Sequence, residues 1–270
     1  MIHGDLDAAR IAAALAARGV ASTDVHLLAT TGSTNDEARR AASAGAPHGA
    51  LFVADTQTAG RGRGAHRWFS PAGANLYASL LLRREIEAPA LPRITLVVGL
   101  AVAELVEATL RRGVLVKWPN DVLVDGRKIA GVLVEAQLRG STLSALIVGV
   151  GLNVHTVAFP DELDSIATSL LRAGGANLDR SILLADLAAR IHGMVARFAE
   201  SGLEPFLPAL RARDALRGRR VSHEGALGVG EGLDADGRLL VRFDDGALRA
   251  VTSGEVLFAT ASQSGPSCAT

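Results

Sequence analysis

Four strand-like segments follow one another closely in the middle of the chain. They cover residues 114–117, 122–124, 129–137 and 143–148. Asp125 and Gly126 separate the second segment from the third, and an Asp-Gly pair between apolar runs is a strong β-hairpin signal. Connections this short join antiparallel neighbours, since parallel strands need long crossovers. We therefore predict a mixed or largely antiparallel central sheet and not a doubly wound one.

Helices are predicted on either side of that run, which makes the fold class α+β. Apolar periodicity and breaker residues place them at 6–18, 34–44, 94–112, 181–199 and 204–216. Thr34 and Glu37 have capping-box spacing, so Thr34 is expected to cap the second helix. From residue 219 onwards short strands alternate with turns, which predicts a small β-barrel of about five strands. The expected division is a main domain at 1–217, the barrel at 218–260 and a disordered polar tail at 261–270.

The composition argues against several classes of protein. Of the 270 residues, 28 are basic and 28 acidic, so no overall charge attracts the chain to nucleic acid or to anionic membranes. Cys268 is the only cysteine, which excludes an intramolecular disulfide and a zinc site built on paired cysteines. We identify no secretory signal and no apolar run long enough to span a bilayer. A cytoplasmic location without membrane attachment is expected.

A basic, glycine-rich stretch stands out against this neutral background. It runs Gly60-Arg61-Gly62-Arg63-Gly64-Ala65-His66-Arg67-Trp68-Phe69-Ser70, between two apolar strand-like segments. Glycines allow a close backbone approach to a ligand, and arginine forks suit phosphate or carboxylate oxygens. A flexible solvated segment or an RNA-binding tail is the alternative, but such tails lie in longer low-complexity regions. The stretch matches neither a nucleotide P-loop nor a dinucleotide fingerprint. We interpret it as an anion-binding loop.

Two further motifs lie among the hairpin strands. Lys117-Trp118-Pro119-Asn120-Asp121 crowds a cation, an amide and a carboxylate onto one turn, where Asn-Asp as ordinary turn residues is the alternative. Lys128 opens the apolar run Lys128-Ile129-Ala130-Gly131-Val132-Leu133-Val134-Glu135, where a solvated lysine at a strand end is the alternative. Neighbouring hairpin strands would bring Lys117, Asp121 and Lys128 together.

Taken in order, the motifs of the chain resemble those of the biotin protein ligase family over about 120 residues. The matching pieces are Thr31-Gly32-Ser33-Thr34-Asn35, Gln57-Thr58-Ala59-Gly60-Arg61-Gly62-Arg63, Trp68-Phe69-Ser70-Pro71, Gly73-Ala74-Asn75-Leu76-Tyr77, Lys117 to Asp121, Lys128 to Glu135, and Gly149-Val150-Gly151-Leu152-Asn153. The resemblance implies a sheet like that of class II aminoacyl-tRNA synthetases and biotin ligases, followed by an SH3-like barrel. The main domain would then be the ligase domain.

The resemblance also implies an activity. Biotin and MgATP would form biotinyl-5′-adenylate, and the biotinyl group would pass to a lysine of the biotin carboxyl carrier domain of acyl-CoA or pyruvate carboxylases. The residues implied for biotin binding are Ser33, Thr34, Asn35, Gln57, Gly60, Arg61, Gly62, Arg63, Lys128 and Gly131. Those implied for ATP and the adenylate are Arg63, Trp68, Asn120, Asp121, Lys128 and Asn153. Lys128, Arg63, Arg61 and Asp121 would carry the catalysis, and no residue is assigned to hold Mg²⁺ itself.

The chain departs from the family pattern in two places. The loop usually reads Gly-Arg-Gly-Arg-x-Gly-Arg-x-Trp, whereas here Gly64-Ala65-His66 replaces x-Gly-Arg. Only about 30 residues precede the biotin segment, so we expect a ligase without the DNA-binding domain of some members, as a monomer or weak homodimer. A lipoate or octanoate ligase or transferase is the nearest alternative, and a nucleic-acid-binding regulator using the basic loop is a second.

Overall fold

The computed structural model describes residues 4–20, 24–64, 66–84, 86–139 and 142–259. A seven-stranded sheet organises the larger part of the chain, in the order β1-β2-β3-β7-β6-β5-β4. Its strands are β1 (Val25–Thr31), β2 (Leu51–Gln57), β3 (Leu76–Leu82), β4 (Leu115–Lys117), β5 (Asp121–Val124), β6 (Arg127–Arg139) and β7 (Thr142–Leu152). The β1–β2 pair is parallel and the other pairs are antiparallel, which confirms the predicted mixed sheet.

The predicted hairpin between β5 and β6 is confirmed at its turn. Asp125 and Gly126 both have positive φ, at 50° and 75°. Two consecutive left-handed residues define the turn whose twist matches that of antiparallel strands, and Asp-Gly tolerates it best. The turn sets the pairing of Val124 with Arg127, and a register shift between Val122 and Leu123 then brings Asp121 opposite Gly131.

Helices cover the two faces of the sheet unequally. They are α1 (Ala8–Ala16), α2 (Thr34–Ser43), α3 (Leu91–Leu110), α4 (Asp161–Asp164), α5 (Arg180–Ser201) and α6 (Leu207–Ala212). α3 and α5 pack against each other and on the sheet, and α1 packs on α5. α2 lies on the opposite face, over a small cluster that includes Phe52, Leu81 and Ile147. The rest of that second face is left for the functional site.

Two predicted helix details are wrong. Ser33, not Thr34, is the N-cap residue of α2, and no side chain caps the helix there; the Thr34 hydroxyl donates to Gln57 Oε1 instead. The segment 204–216 is not one helix but a 3-10 turn at Glu204–Phe206 followed by the short α6. Prolines at the first turn of each piece explain the break, because proline suits a helix start and not its interior.

The prediction that no apolar run is long enough to span a bilayer is also wrong. Within the described residues, the helical stretch Ala88–Leu110 is long and apolar enough for this by length and composition. It belongs to the protein core in this structure, where α3 packs on α5 and β6. Its burial on most sides explains why its sequence is apolar all round.

A second sheet follows in the last part of the described chain. Its antiparallel strands are β8 (Arg220–His223), β9 (Ala226–Leu233), β10 (Leu239–Phe243), β11 (Leu248–Val251) and β12 (Val256–Phe258), in the order β11-β10-β9-β8-β12. Five short strands are consistent with the predicted SH3-like barrel. The Trp118 indole donates to the Gly237 carbonyl across the junction at 3.1 Å. The predicted tail at 261–270 lies outside the described residues.

Candidate active site

A cavity of about 860 Å³ opens on the sheet face that α2 leaves uncovered. The basic loop, the turn before β5 and the end of the C-terminal sheet complete its walls. Sites for small ligands commonly measure several hundred Å³, and this one is near the upper end of that range. The cavity therefore has room for a ligand larger than a single metabolite ring.

Glycines in register form the floor of this cavity. One cross-strand row runs Tyr77–Gly151–Gly131–Asp121–Lys117, and the neighbouring row places Gly149 between Ser79 and Leu133. Gly149 and Gly151 lie inside β7, whereas the sequence indicated that they end a strand. A Cβ at Gly131 would lie 2.9 Å from Trp68 Cζ3, and one at Gly151 would lie 2.6 Å from Trp68 Nε1. The glycines therefore let the indole rest directly on the sheet.

Buried polar side chains line the cavity on the β3 side. Ser33, Thr34 and Asn35 are all almost fully buried at the start of α2. Thr34 N–H donates to Gln57 Oε1 at 2.9 Å, and the Ser79 hydroxyl donates to Asn35 Oδ1 at 2.6 Å. These contacts fix several donors and acceptors in one orientation before a ligand arrives. Such a pocket suits a small polar ring better than a chain of methylenes.

Cations gather on the β5 side of the floor. Lys128 Nζ lies 2.6 Å from Asp121 Oδ1 and 5.4 Å from the centre of the Trp68 ring. Its backbone is fixed by a hydrogen bond from its N–H to the Ile166 carbonyl. Burial lowers the pKa of the neighbouring Lys117 ammonium, and the charges of Asp121 and Glu255 partly oppose that shift. Two lysines around one carboxylate make this part of the cavity attractive to anions.

The basic loop is held from both sides of the cavity. The Arg61 guanidinium donates to both carboxylate oxygens of Glu135 and to Asp36 Oδ1, at 2.9 to 3.2 Å. The Arg63 guanidinium donates to the Gly254 carbonyl of the C-terminal sheet at 2.6 Å. Both arginines line the cavity, but the hydrogen bonds tie them to protein groups around its rim. Ala65 of this loop lies outside the described residues.

The C-terminal sheet supplies part of the cavity wall, with residues 254–258 facing it. Lys117 Nζ lies 5.8 Å from the centre of the Phe258 ring, and His66 Nε2 lies 3.7 Å from a carboxylate oxygen of Glu255. The last strand therefore belongs to the site and not only to a separate small domain.

The structure brings the predicted site residues together, with one exception. The residues at the cavity wall are Ser33, Thr34, Asn35, Gln57, Arg61, Gly62, Arg63, Trp68, Asn120, Asp121, Lys128, Gly131 and Asn153. Gly60, predicted to bind biotin, does not line the wall; a Cβ there would lie 2.7 Å from Ser70 Oγ, so it serves the packing of the loop. Asn153 is buried and its amide donates to the Thr168 carbonyl, which indicates a role in supporting the floor.

Sequence reasoning missed Ser79, Asp36 and the wall from the C-terminal sheet. Ser79 lies in a buried apolar strand, and its partners come from α2, 44 and 45 positions away. Nothing local in the sequence marks such a residue. The alternating pattern of β3 places it on the cavity face, but only the strand register shows that it meets Asn35.

Comparisons with known proteins agree with this fold and site. Residues 27–153 match the biotin/lipoate A/B protein ligase family, and residues 218–258 match the biotin protein ligase C-terminal domain. The first match defines the class as protein ligases of the biotin and lipoate type. The chain is 34% identical over 242 residues to the biotin–[acetyl-CoA-carboxylase] ligase of Mycobacterium tuberculosis. The aligned region covers 86% of this chain and 87% of that protein. The chain belongs to the biotin protein ligase family.

A solved structure supports the same assignment. The biotin protein ligase of Aquifex aeolicus in complex with biotin and ATP superimposes with a TM-score of 0.76 at 32% identity, covering 88% of this chain and 99% of that one. The bifunctional ligase/repressor BirA of Bacillus subtilis is 42% identical over 151 residues, which is 55% of this chain. Only 46% of that relative is matched, so the chain spans about half its length.

Proposed function

We propose that the protein activates biotin with ATP to biotinyl-5′-adenylate and transfers the biotinyl group to a lysine of a biotin carboxyl carrier domain. One observation carries the proposal: a pre-organised polar pocket and a cationic pocket share a single glycine floor. A ligase of this kind must hold a polar ring and an acyl phosphate at once. The relative from M. tuberculosis is named a biotin–[acetyl-CoA-carboxylase] ligase, and the Aquifex aeolicus structure holds both biotin and ATP.

The polar pocket is proposed to hold the ureido ring of biotin. That ring offers a carbonyl acceptor and two N–H donors, and Ser33, Thr34, Asn35 and Gln57 present matching groups. Because Thr34 already bonds to Gln57 and Asn35 already bonds to Ser79, the pocket would lose little conformational entropy on binding.

The cationic pocket is proposed to carry the first chemical step. The biotin carboxylate attacks the α-phosphate of ATP, a new C–O–P linkage forms, and pyrophosphate leaves. Both reactants are anionic, so Lys128 and the loop arginines would reduce their repulsion and stabilise the charge that develops in the transition state. Mg²⁺ would enter with ATP as part of that substrate, since the described residues include no cluster of three His, Cys, Asp or Glu side chains suited to a metal.

Asp121 is proposed to serve the second step. The amine of the acceptor lysine attacks the biotinyl carbonyl, an amide forms and AMP leaves, so the amine must lose a proton. Asp121 lies at the cavity wall beside Lys128, where it would orient the amine or accept that proton. Trp68 and the rest of the loop would shield the adenylate from water.

The acceptor, the cellular location and the oligomeric state are also proposed. The acceptor would be a carrier domain of an acyl-CoA or pyruvate carboxylase, and the protein would act in the cytoplasm as a monomer or weak homodimer. The net charge of zero provides no general attraction to nucleic acid. We therefore do not extend the repressor activity named for the Bacillus relative to this chain.

Biotin-dependent exchange of pyrophosphate into ATP tests the proposal. We expect exchange with biotin and none with lipoate or octanoate. Exchange that depends on lipoate or octanoate instead would show that this acid, and not biotin, is the substrate. No exchange with any of the three acids would contradict the ligase assignment itself.

A further inference from the structure

Glu135 joins three parts of the molecule that the sequence keeps far apart. It lies in β6 with its side chain 24% exposed. Its Oε2 accepts from Asn35 Nδ2 at 2.7 Å, and its Oε1 accepts from Arg39 Nη2 at 2.9 Å. The Arg61 guanidinium of the basic loop donates to both oxygens. One carboxylate thus connects β6, α2 and the loop.

The contact with Asn35 settles how that amide points. Its nitrogen donates to Glu135, and its oxygen accepts from the Ser79 hydroxyl at 2.6 Å. A carboxylate accepts hydrogen bonds and cannot donate them, so it rejects the flipped amide, which would place an oxygen against it. Glu135 and the Leu133 carbonyl, which accepts from the same nitrogen at 3.3 Å, together fix the orientation of the Asn35 amide.

The contact between Arg61 and the same Glu135 side chain fixes the position of the basic loop. A guanidinium that bonds both oxygens of a carboxylate has a defined position as well as a favourable energy. Asp36 Oδ1, 3.0 Å from Arg61 Nη2, adds a second anchor from α2. Glu135 therefore contributes to both, to the position of the loop together with Asp36 and to the orientation of the amide together with the Leu133 carbonyl.

We infer that Glu135 is a positioning residue that couples docking of the basic loop, through Arg61, to recognition of biotin by Asn35. Coupling of this kind is reciprocal: a bound biotin ring that orders Asn35 also favours the docked loop, and the docked loop favours biotin. Glu135 itself touches neither reacting atom. The biotin half of this inference rests on the proposed function, whereas the loop half does not.

Glu135→Gln tests the coupling, because it keeps the size of the side chain and removes its charge. Arg39→Gln is the matched control, since it removes another ion pair of Glu135, and one of Asp36, while leaving both oxygens of Glu135 able to accept from Arg61 and Asn35. Trypsin cleavage at Arg61 and Arg63 in the ligand-free protein measures loop docking. We expect cleavage about tenfold faster in Glu135→Gln, equivalent to about 1.4 kcal/mol, and less than twofold faster in Arg39→Gln.

Biotin-dependent exchange measures the second half. We expect the KM for biotin to rise about tenfold in Glu135→Gln while kcat changes less than threefold, with Arg39→Gln close to the parent. Cleavage at Arg63, the site that Arg61→Gln leaves intact, should be no faster in the double variant Glu135→Gln/Arg61→Gln than in either single variant, because both substitutions remove one interaction. Should Glu135→Gln fail to fold, Glu135→Asp, which keeps the charge, takes its place and should give intermediate cleavage.

Equal effects of Glu135→Gln and Arg39→Gln, or fully additive effects of Glu135 and Arg61 variants, would overturn the inference. So would faster loop cleavage with an unchanged KM for biotin, which would leave Glu135 as a loop anchor only. Failure of the proposed function would look different, because the parent protein itself would then show no biotin-dependent exchange.

Discussion

Lys128 illustrates at the residue scale how backbone and side chain are fixed by different partners. Its N–H and carbonyl bond to the segment that contains Ile166 and Thr168, while its ammonium faces Asp121 and the Trp68 ring. The cation is held at the cavity wall without being fully buried.

Lys128→Ala should lose most adenylate formation. Removing one donor aimed at developing negative charge typically costs about 10²–10³-fold in kcat. Arg127→Ala is the control, because that side chain is exposed and next in sequence. Pyrophosphate exchange measures both variants, and a Lys128→Ala protein within threefold of Arg127→Ala would remove Lys128 from the reaction.

Arg180 supports the sheet from the interior. It is fully buried, with its guanidinium 2.7 Å from Asp5 and 3.1 Å from the buried Asp55. Arg180→Met removes one charge of a buried pair, so we expect a loss of about 3–5 kcal/mol in the free energy of unfolding. Arg10→Met breaks an exposed pair with Asp179 and should cost less than about 1 kcal/mol. Urea unfolding distinguishes these outcomes, and similar losses in both variants would contradict the account.

Residue identities could be predicted where a motif carries them and not where the fold assembles them. Asn35, Arg61 and Lys128 lie in recognisable segments, and the structure places all three at the cavity. Ser79 and the role of Glu135 depend on which strands are neighbours, because each meets partners dozens of positions away. Charged and buried partners of this kind follow from strand register, which the sequence determines only through the whole sheet.

At the scale of elements, the glycines of β6 and β7 leave a surface of bare backbone on which another group can pack. Gly131 and Gly151 face each other across the two strands and carry the Trp68 ring. The predicted strand stopped at residue 148, before Gly149 and Gly151, and glycine usually weakens a strand. The structure keeps the strand, and the pairs on both sides of it supply the stability that glycine lacks.

Gly151→Ala should displace Trp68 from the sheet, because the added methyl group would overlap the indole. We expect stronger quenching of tryptophan fluorescence by acrylamide as the ring becomes exposed. Gly113→Ala adds the same methyl group where no atom lies within 4 Å, so quenching there should match the parent. Unchanged quenching in Gly151→Ala would mean that the ring does not rest on this floor.

At the scale of the whole molecule, a histidine pair predicts how stability responds to acid. His48 and His192 pack edge to face at 5.3 Å. Burial, with the nearby charges of His48 and Arg84, lowers the pKa of His192 to about 4, whereas an unfolded histidine titrates near 6.5. Between those values the unfolded chain binds a proton that the folded chain does not, so stability falls as pH drops through this window.

His192→Gln should flatten that dependence. Allowing for partial exposure, we expect the parent to lose about 1–2 kcal/mol more than the variant between pH 7 and pH 4. Chemical denaturation at both values measures the difference, and any offset at pH 8 reports packing alone. Parallel pH curves for the two proteins would contradict the assignment.

The sequence predicts the overall architecture better than it predicts the details. Hairpin spacing and the Asp125–Gly126 turn indicate the mixed sheet, and the short C-terminal strands indicate the small barrel. The apolar sequence of α3 does not distinguish a core helix from a membrane span, because burial in protein or lipid selects the same residues. The part of the cavity wall that comes from the C-terminal sheet cannot be predicted from the sequence, since it arises from packing between two sheets.

Transfer to a carrier domain tests the central claim most directly. The carrier domain of a biotin-dependent carboxylase is incubated with the protein, biotin and ATP, and its intact mass is measured. We expect the gain of one biotinyl group on one lysine, which requires ATP and is lost with Lys128→Ala. A carrier domain that stays unmodified with biotin, or that is modified only when lipoate or octanoate replaces biotin, would contradict the claim.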